Sequence, residues 1–156
     1  MVKNFARDDY ELFQQRLKDA REILILGDNS GEIAFDRLLA EQLSDFGVKV
    51  TYAVKGRPIL NDATMEDAAY VGMTDRIRVI SNGSGILGTI LRDCSEEFKQ
   101  AYEKADLVIS KGQANYESLE ALGKEDRRLY FLLRAKCEIV AESLGVELGE
   151  MVFCLS

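Results

Sequence analysis

Histidine and tryptophan are absent from this chain of 156 residues, and proline occurs once, as Pro58. Without an imidazole, the chain alone cannot build a Ser-His-Asp triad, a His-assisted cysteine nucleophile or a His-containing zinc site. Proton transfer falls to Asp, Glu, Lys, Tyr, Cys or water. Cysteine is scarce: Cys94, Cys137 and Cys154 are odd in number, far apart and without a C-x-x-C pair, which points to reduced, mostly buried thiols. No apolar run approaches the about 18 residues of a membrane span, and residues 1–7 lack an apolar signal core, so a cytoplasmic protein with no membrane partner is expected. Positive charge is also in short supply. Lys and Arg number 20 against 27 Asp and Glu, a formal net charge of -7 that repels a nucleic-acid backbone.

What the chain does contain is α/β patterning. With 47% apolar residues and no linker-like or repeated segment, residues 1–156 read as a single α/β domain with a substantial core. Helical spacing over 10–20 leads into an apolar strand at 23–26. Phe35, Leu38, Leu39, Leu43 and Phe46 then recur at three- and four-residue steps, with Asp36, Arg37 and Glu41 between them, as in an amphipathic helix stopped by Gly47. A β-branched strand covers 48–54. Thr64 and Asp67 are spaced as the capping box of a helix reaching Tyr70, ahead of a strand at 77–80. Helices over 95–105, 116–122 and 139–144 alternate with strands over 107–109 and 129–133 and a last apolar segment at 151–153. This alternation predicts a three-layer, Rossmann-like fold, with a mostly parallel sheet and helices on both faces.

Ligands of such sheets gather at the carboxyl ends of the strands. The first exit, Gly27-Asp28-Asn29-Ser30-Gly31-Glu32, offers a carboxylate and a carboxamide, hard oxygen ligands suited to Mg²⁺ or Mn²⁺. Asp, Asn and Ser are also favoured helix caps, but three in succession exceed what one cap requires. The second exit, 55–64, contains Asn61 and Asp62, and Asp62 is either a third ligand or another cap. The third, 81–88, holds Gly83, Gly85 and Gly88 in a G-x-G-x-x-G pattern. A dinucleotide site would want an acid at the end of the next strand, where Ser110 and Lys111 stand instead, and Asp106 lies at the opposite end. A plain glycine-rich turn and a backbone-amide nest for an anion are the alternatives there, and the nest is favoured because the neighbouring exits point the same way. The fourth exit, Ser110-Lys111-Gly112-Gln113-Ala114-Asn115-Tyr116, reads as a turn offering a cation and several hydrogen-bonding side chains, and Lys136 follows the next strand. Either lysine alone reads as solvated. Acids and lysines delivered to one sheet edge read as a metal and phosphate site.

The segments GDNSGEIAFDRLL, VTYAVKGRPILNDATMEDA, VISNGSG, ADLVISKGQANYESL and FLLRAKC, in this order over nearly the whole chain, resemble the damage-control phosphatases of the domain-of-unknown-function-89 type, particularly their stand-alone prokaryotic branch. The resemblance implies a phosphatase that depends on a divalent metal (Mg²⁺, Mn²⁺, Co²⁺ or Ni²⁺) and hydrolyses small phosphorylated metabolites. It carries the metal ligands onto Asp28, Asn29 and Asp62, and the phosphate and substrate contacts onto Lys111, Gly112, Gln113, Asn115 and Lys136. Ser30, Glu32, Asn61, Ser81, Asn82 and Gly83, on the same exits, complete the expected pocket. Asp28, Asn29, Asp62 and Lys111 form the expected catalytic set, with Glu32 or a free oxygen of Asp28 as proton acceptor. An aspartyl-phosphate at Asp28 is disfavoured, because Asn29-Ser30 follows where such enzymes show D-x-D. Two departures stand out. The family carries a helical region ahead of its GDN motif, of which this chain shows about one helix, so a helical partner domain or a homo-oligomer is an expected partner. Ala114 stands where Gly is common. The alternative function is a non-catalytic nucleotide- or phosphometabolite-binding domain that needs a helical partner.

Overall fold

The computed structural model describes residues 4–123 and 125–156, which leaves the first three positions of the expected signal-free start outside it. Along the chain run β1 (Arg7–Asp8), α1 (Tyr10–Leu17), β2 (Glu22–Leu26), α2 (Ile33–Asp45), β3 (Lys49–Val54), α3 (Met65–Tyr70) and β4 (Arg78–Ser81). Then follow α4 (Glu96–Lys104), β5 (Leu107–Lys111), α5 (Gln113–Gly123), β6 (Leu129–Arg134), α6 (Glu138–Leu144) and β7 (Met151–Leu155). The strands form one sheet in the order β1-β7-β6-β5-β2-β3-β4. Every neighbouring pair is parallel except β6 with β7.

Alternation along β2 shows how the layers are made. Ile23 and Ile25 join Phe13, Ile33, Ala40, Leu43 and Ala68 on the face covered by α1, α2 and α3. Leu24 and Leu26 join Phe98, Tyr116, Leu119, Val140 and Leu144 on the face covered by α4, α5 and α6. From β2 the chain steps outward through β3 to β4, then returns across the sheet to β5 and proceeds the other way to β6. The order therefore reverses between β2 and β5, and the crevice for a ligand opens above their carboxyl ends.

The structure corrects three sequence expectations. Phe35, Leu38 and Phe46, assigned to the buried face of α2, are 73%, 59% and 72% exposed, whereas Asp36 is buried. Ile33, Asp36, Ala40 and Leu43 share one stripe at helical spacing, and Asp36 fits there because polar partners await it on β3 and β5. The fourth exit is shorter than expected: Ser110 and Lys111 are strand residues, and Gly112 alone, at φ +82, turns the chain into α5. The terminal segment is a full antiparallel strand. It also pairs with β1, which no sequence signal announced.

Asp106 lies at the edge of the sheet opposite the crevice and accepts hydrogen bonds from the Arg21 and Glu22 amides, at 2.7 and 3.0 Å. These bonds hold its carboxyl below the usual carboxylate range. A depressed pKa contributes stability above the unfolded value and loses it as pH falls through the folded one. Asp106→Ala is therefore expected to cost about 1 kcal/mol at neutral pH, discounted for exposure, and progressively less at strongly acidic pH. Urea titrations of both proteins at neutral and acidic pH measure this.

Candidate metal and phosphate site

Asp28 follows β2 after the single residue Gly27, and Gly112 follows β5 directly, so the two meet across the crevice. A Cβ at Gly112 would overlap the Asp28 carboxylate. The second exit is laid against the first by two backbone hydrogen bonds, Ser30 N to Asn61 O at 2.8 Å and Ala63 N to Asp28 O at 2.7 Å. They set Asn29 opposite Asp62 in an isolated antiparallel bridge. Residues far apart in sequence are thus brought side by side. Leu60, in the same loop, has φ +45 and is the one non-glycine residue with positive φ among those described.

The charges at this edge are unevenly paired. Asn29 donates its carboxamide to Asp28 at 2.9 Å, and both its amide nitrogen and that side chain also approach Glu32. Burial, then the neighbouring Glu32 and Asp62 charges, push the Asp28 carboxyl up to about 6, against the opposing pull of Lys136 and Lys111. Asp62 has a cation of its own: Lys55 Nζ lies 3.7 Å from its carboxylate, and both side chains are buried. Burial raises the Asp62 carboxyl and lowers the Lys55 ammonium, and their mutual attraction opposes both shifts. Lys55 also donates to the carbonyls of Ile86, at 2.9 Å, and Gly88. Lys111 is buried and pairs with Asp36 and, at 2.9 Å, with Glu32. Lys136 is exposed, its backbone nitrogen held by Gln113 Oε1 at 2.9 Å.

Of the two readings of 81–88, the amides of Gly83, Ser84 and Ile86 fit the self-contained turn rather than the favoured nest. Gly83 N donates to Ser81 Oγ, Ser84 N and Gly56 N both donate to Asn82 Oδ1, and Ile86 N donates to Ser84 Oγ, so these amides are satisfied within the loops. The run is followed by a 3₁₀ turn (Leu91–Asp93) rather than by the helix a dinucleotide fingerprint requires. Asn115 is likewise inward: it donates to Gly27 O and Lys111 O and accepts from Thr89. The structure thus gathers Asp28, Asn29, Glu32, Asp62, Lys111 and Gly112 at one crevice, with Ser30, Asn61, Gln113 and Lys136 around it. It gives Ser81, Asn82, Gly83 and Asn115 scaffold contacts. Sequence reasoning missed Lys55, Asp36 and Tyr52 as members of this network. Only the helical phase of Asp36, shared with Ile33, Ala40 and Leu43, was available as a signal.

Among the described residues no three carboxylate or thiol side chains converge closely enough to hold an ion by themselves. No helix among them is long and apolar enough to cross a membrane. Cys94 and Cys154 are buried and Cys137 half-buried, all three as free thiols.

Comparison with known proteins agrees with this architecture. The chain is 42% identical over 151 residues to a damage-control phosphatase from Pyrococcus horikoshii, an alignment covering 96% of this chain and 52% of that protein. It is 42% identical over 142 residues to a damage-control phosphatase from Archaeoglobus fulgidus, covering 88% and 48%. An uncharacterized Methanocaldococcus jannaschii protein is 48% identical over 136 residues, covering 86% and 45%. The chain thus spans about half the length of the curated relatives it matches. The crystal structure of a domain-of-unknown-function-89 protein from P. horikoshii superposes with a TM-score of 0.93 at 39% identity, covering 99% of this chain and 54% of that one. A family model described as the damage-control phosphatase ARMT1-like domain matches residues 1–152, and the chain belongs to that family.

Proposed function

We propose that this chain carries the catalytic α/β part of a divalent-metal-dependent phosphatase acting on small phosphorylated metabolites. The observation that carries the reading is the Asp28 carboxyl, half-buried beside two further acids with only a carboxamide hydrogen-bonded to it, at the point where the strand order reverses. Such a group is costly without a cation nearby. The donors suit a hard cation: carboxylate oxygens of Asp28 and Asp62 and the carboxamide of Asn29, all without sulfur or imidazole. These three residues would hold Mg²⁺, Mn²⁺, Co²⁺ or Ni²⁺, and the chemistry such an ion supplies when bound is polarisation of a phosphoryl oxygen and acidification of water.

The rest of the work belongs to the chain's own groups. Phosphoryl transfer depends mainly on positioning and on offsetting charge, which a chain without histidine can supply. Lys111 and Lys136 draw a phosphate dianion to the crevice and balance its peripheral oxygens. Gly112, lacking a side chain, leaves the approach to Asp28 open. Glu32, its carboxyl held below the usual range by Lys111 and the Asn29 amide, stays ionised near neutral pH.

The test is hydrolysis of para-nitrophenyl phosphate by purified protein, stripped with chelator and then supplied with each metal. Turnover is expected only after a divalent ion is restored. Equal turnover in chelator, or none with any metal while a full-length relative is active in the same assay, overturns the reading for this chain.

A further inference from the structure

Asp36 is a carboxylate buried in the first turn of α2, 4% exposed, and the proposed chemistry does not use it. An apolar residue of similar size would be the cheaper occupant of that stripe. Both Asp36 oxygens are engaged: the Tyr52 hydroxyl donates to Oδ2 at 2.6 Å, and the Lys111 ammonium donates to Oδ1. Tyr52 is itself fully buried, and a Cβ on Gly27 would come within 2.5 Å of its hydroxyl oxygen, so the glycine ahead of Asp28 leaves room for that hydroxyl. Lys111 has a second partner in Glu32, but the two partners differ. The Asp36 side chain is 5% exposed and the Glu32 side chain 38%.

We propose that Asp36, braced by Tyr52, is a positioning residue that fixes the Lys111 ammonium toward the crevice, with Glu32 as the exchangeable partner that an incoming phosphoryl group replaces. The inference rests on the phosphatase reading for the use of Lys111, and on geometry alone for the hold on it. One buried anion anchors the lysine from the core side. The other, reachable by solvent, leaves its outer side available to a competing anion. Gly27, Tyr52, Asp36 and Lys111 thereby link the exit of β2 with β3, α2 and β5, so the aim of the ammonium is set by the elements that build the crevice.

Two readouts test this. In metal-free protein, reductive methylation followed by peptide mass spectrometry reports how firmly Lys111 is held. Lys111 is expected to be protected in the parent chain and modified about tenfold faster in Asp36→Asn, which preserves shape while removing a charge. In the metal-supplied protein, kcat of Asp36→Asn is expected to fall about 100-fold, the cost of a misaimed group, while metal affinity and Tm are retained. Tyr52→Phe, which alters no charge, should move both readouts the same way by a smaller factor. If Asp36 acts through Lys111, the double variant Asp36→Asn/Lys111→Met is no slower than Lys111→Met alone. Unchanged methylation of Lys111 in Asp36→Asn, or losses that multiply in the double variant, overturns the proposal. Lys111→Met with the parent rate overturns the assignment of Lys111 to the reaction, and the proposal with it, and the methylation readout shows which of the two failed.

Discussion

Gly112→Ala is expected to lower metal-stimulated phosphomonoester hydrolysis by at least about 100-fold and to destabilise the fold by about 2 kcal/mol. Two effects combine. The residue sits at φ +82, where a side chain strains the backbone. Its new Cβ would also overlap the Asp28 carboxylate, which must turn away from the crevice to clear it. The backbone has little freedom to yield, because Gly112 is the whole connection between β5 and α5, and its amide donates to Leu132 O at 3.0 Å. Thermal melts and steady-state rates on the same preparation measure both effects. A variant that loses stability yet keeps its rate would remove Asp28 from the reacting position.

Asp28→Asn and Asp62→Asn are expected to share one outcome and differ in another. Each removes a carboxylate proposed to hold the cation, so each should cost at least about 100-fold in metal-stimulated rate. Their stabilities in chelator should move in opposite directions. Asp28 is raised from 3.8 to about 6, so the folded state binds its proton more tightly than the unfolded chain does. Stability contributed by this residue therefore declines as pH rises from about 4 to about 6 and stays reduced above that range. An asparagine at 28 has no such titration and should stabilise the metal-free protein by about 1 to 2 kcal/mol at neutral pH, after discounting for partial exposure. At 62 burial raises the carboxyl too, but the carboxylate has a buried cationic partner, and the cost of leaving the Lys55 ammonium with carbonyl oxygens only outweighs that gain. That variant should be less stable by about 2 kcal/mol. Denaturant titrations at pH 4 and pH 7, with rates measured alongside, separate the cases. Two variants destabilised alike, both at the parent rate, would sink the shared-cation reading.

The layers and the crevice were legible in the sequence because period and turn chemistry report local facts. The Ile23 to Leu26 run, the Thr64 and Asp67 capping box and the Gly47 stop all appear where their residue types require. The proximity of Asp28 to Asp62 followed from parallel strands delivering their ends to one edge. What stayed hidden depends on contacts between distant elements. Helical spacing alone could not tell that Asp36, not Phe35, faces the sheet, since that choice is made by Tyr52 on β3 and Lys111 on β5. Lys55 looked like one more loop lysine, because its burial depends on the carbonyls of a loop some thirty residues on, Ile86 and Gly88. The G-x-G-x-x-G pattern was ambiguous for the converse reason: the amides of Gly83, Ser84 and Ile86 are satisfied by the nearby side chains of Ser81, Asn82 and Ser84, which a pattern of glycines does not display.

The isolated bridge between Asn29 and Asp62 has a kinetic consequence. β2 is flanked by strands on both sides, and its amides should exchange with solvent protons only on global opening, whereas Asp62 rides on a loop that joins the first exit through a few local bonds. Fluctuations of that loop can widen the gap between the two carboxylates while the central strands stay shut. Deuterium uptake at residues 59–63, well ahead of 22–26, is the expected trace of such breathing.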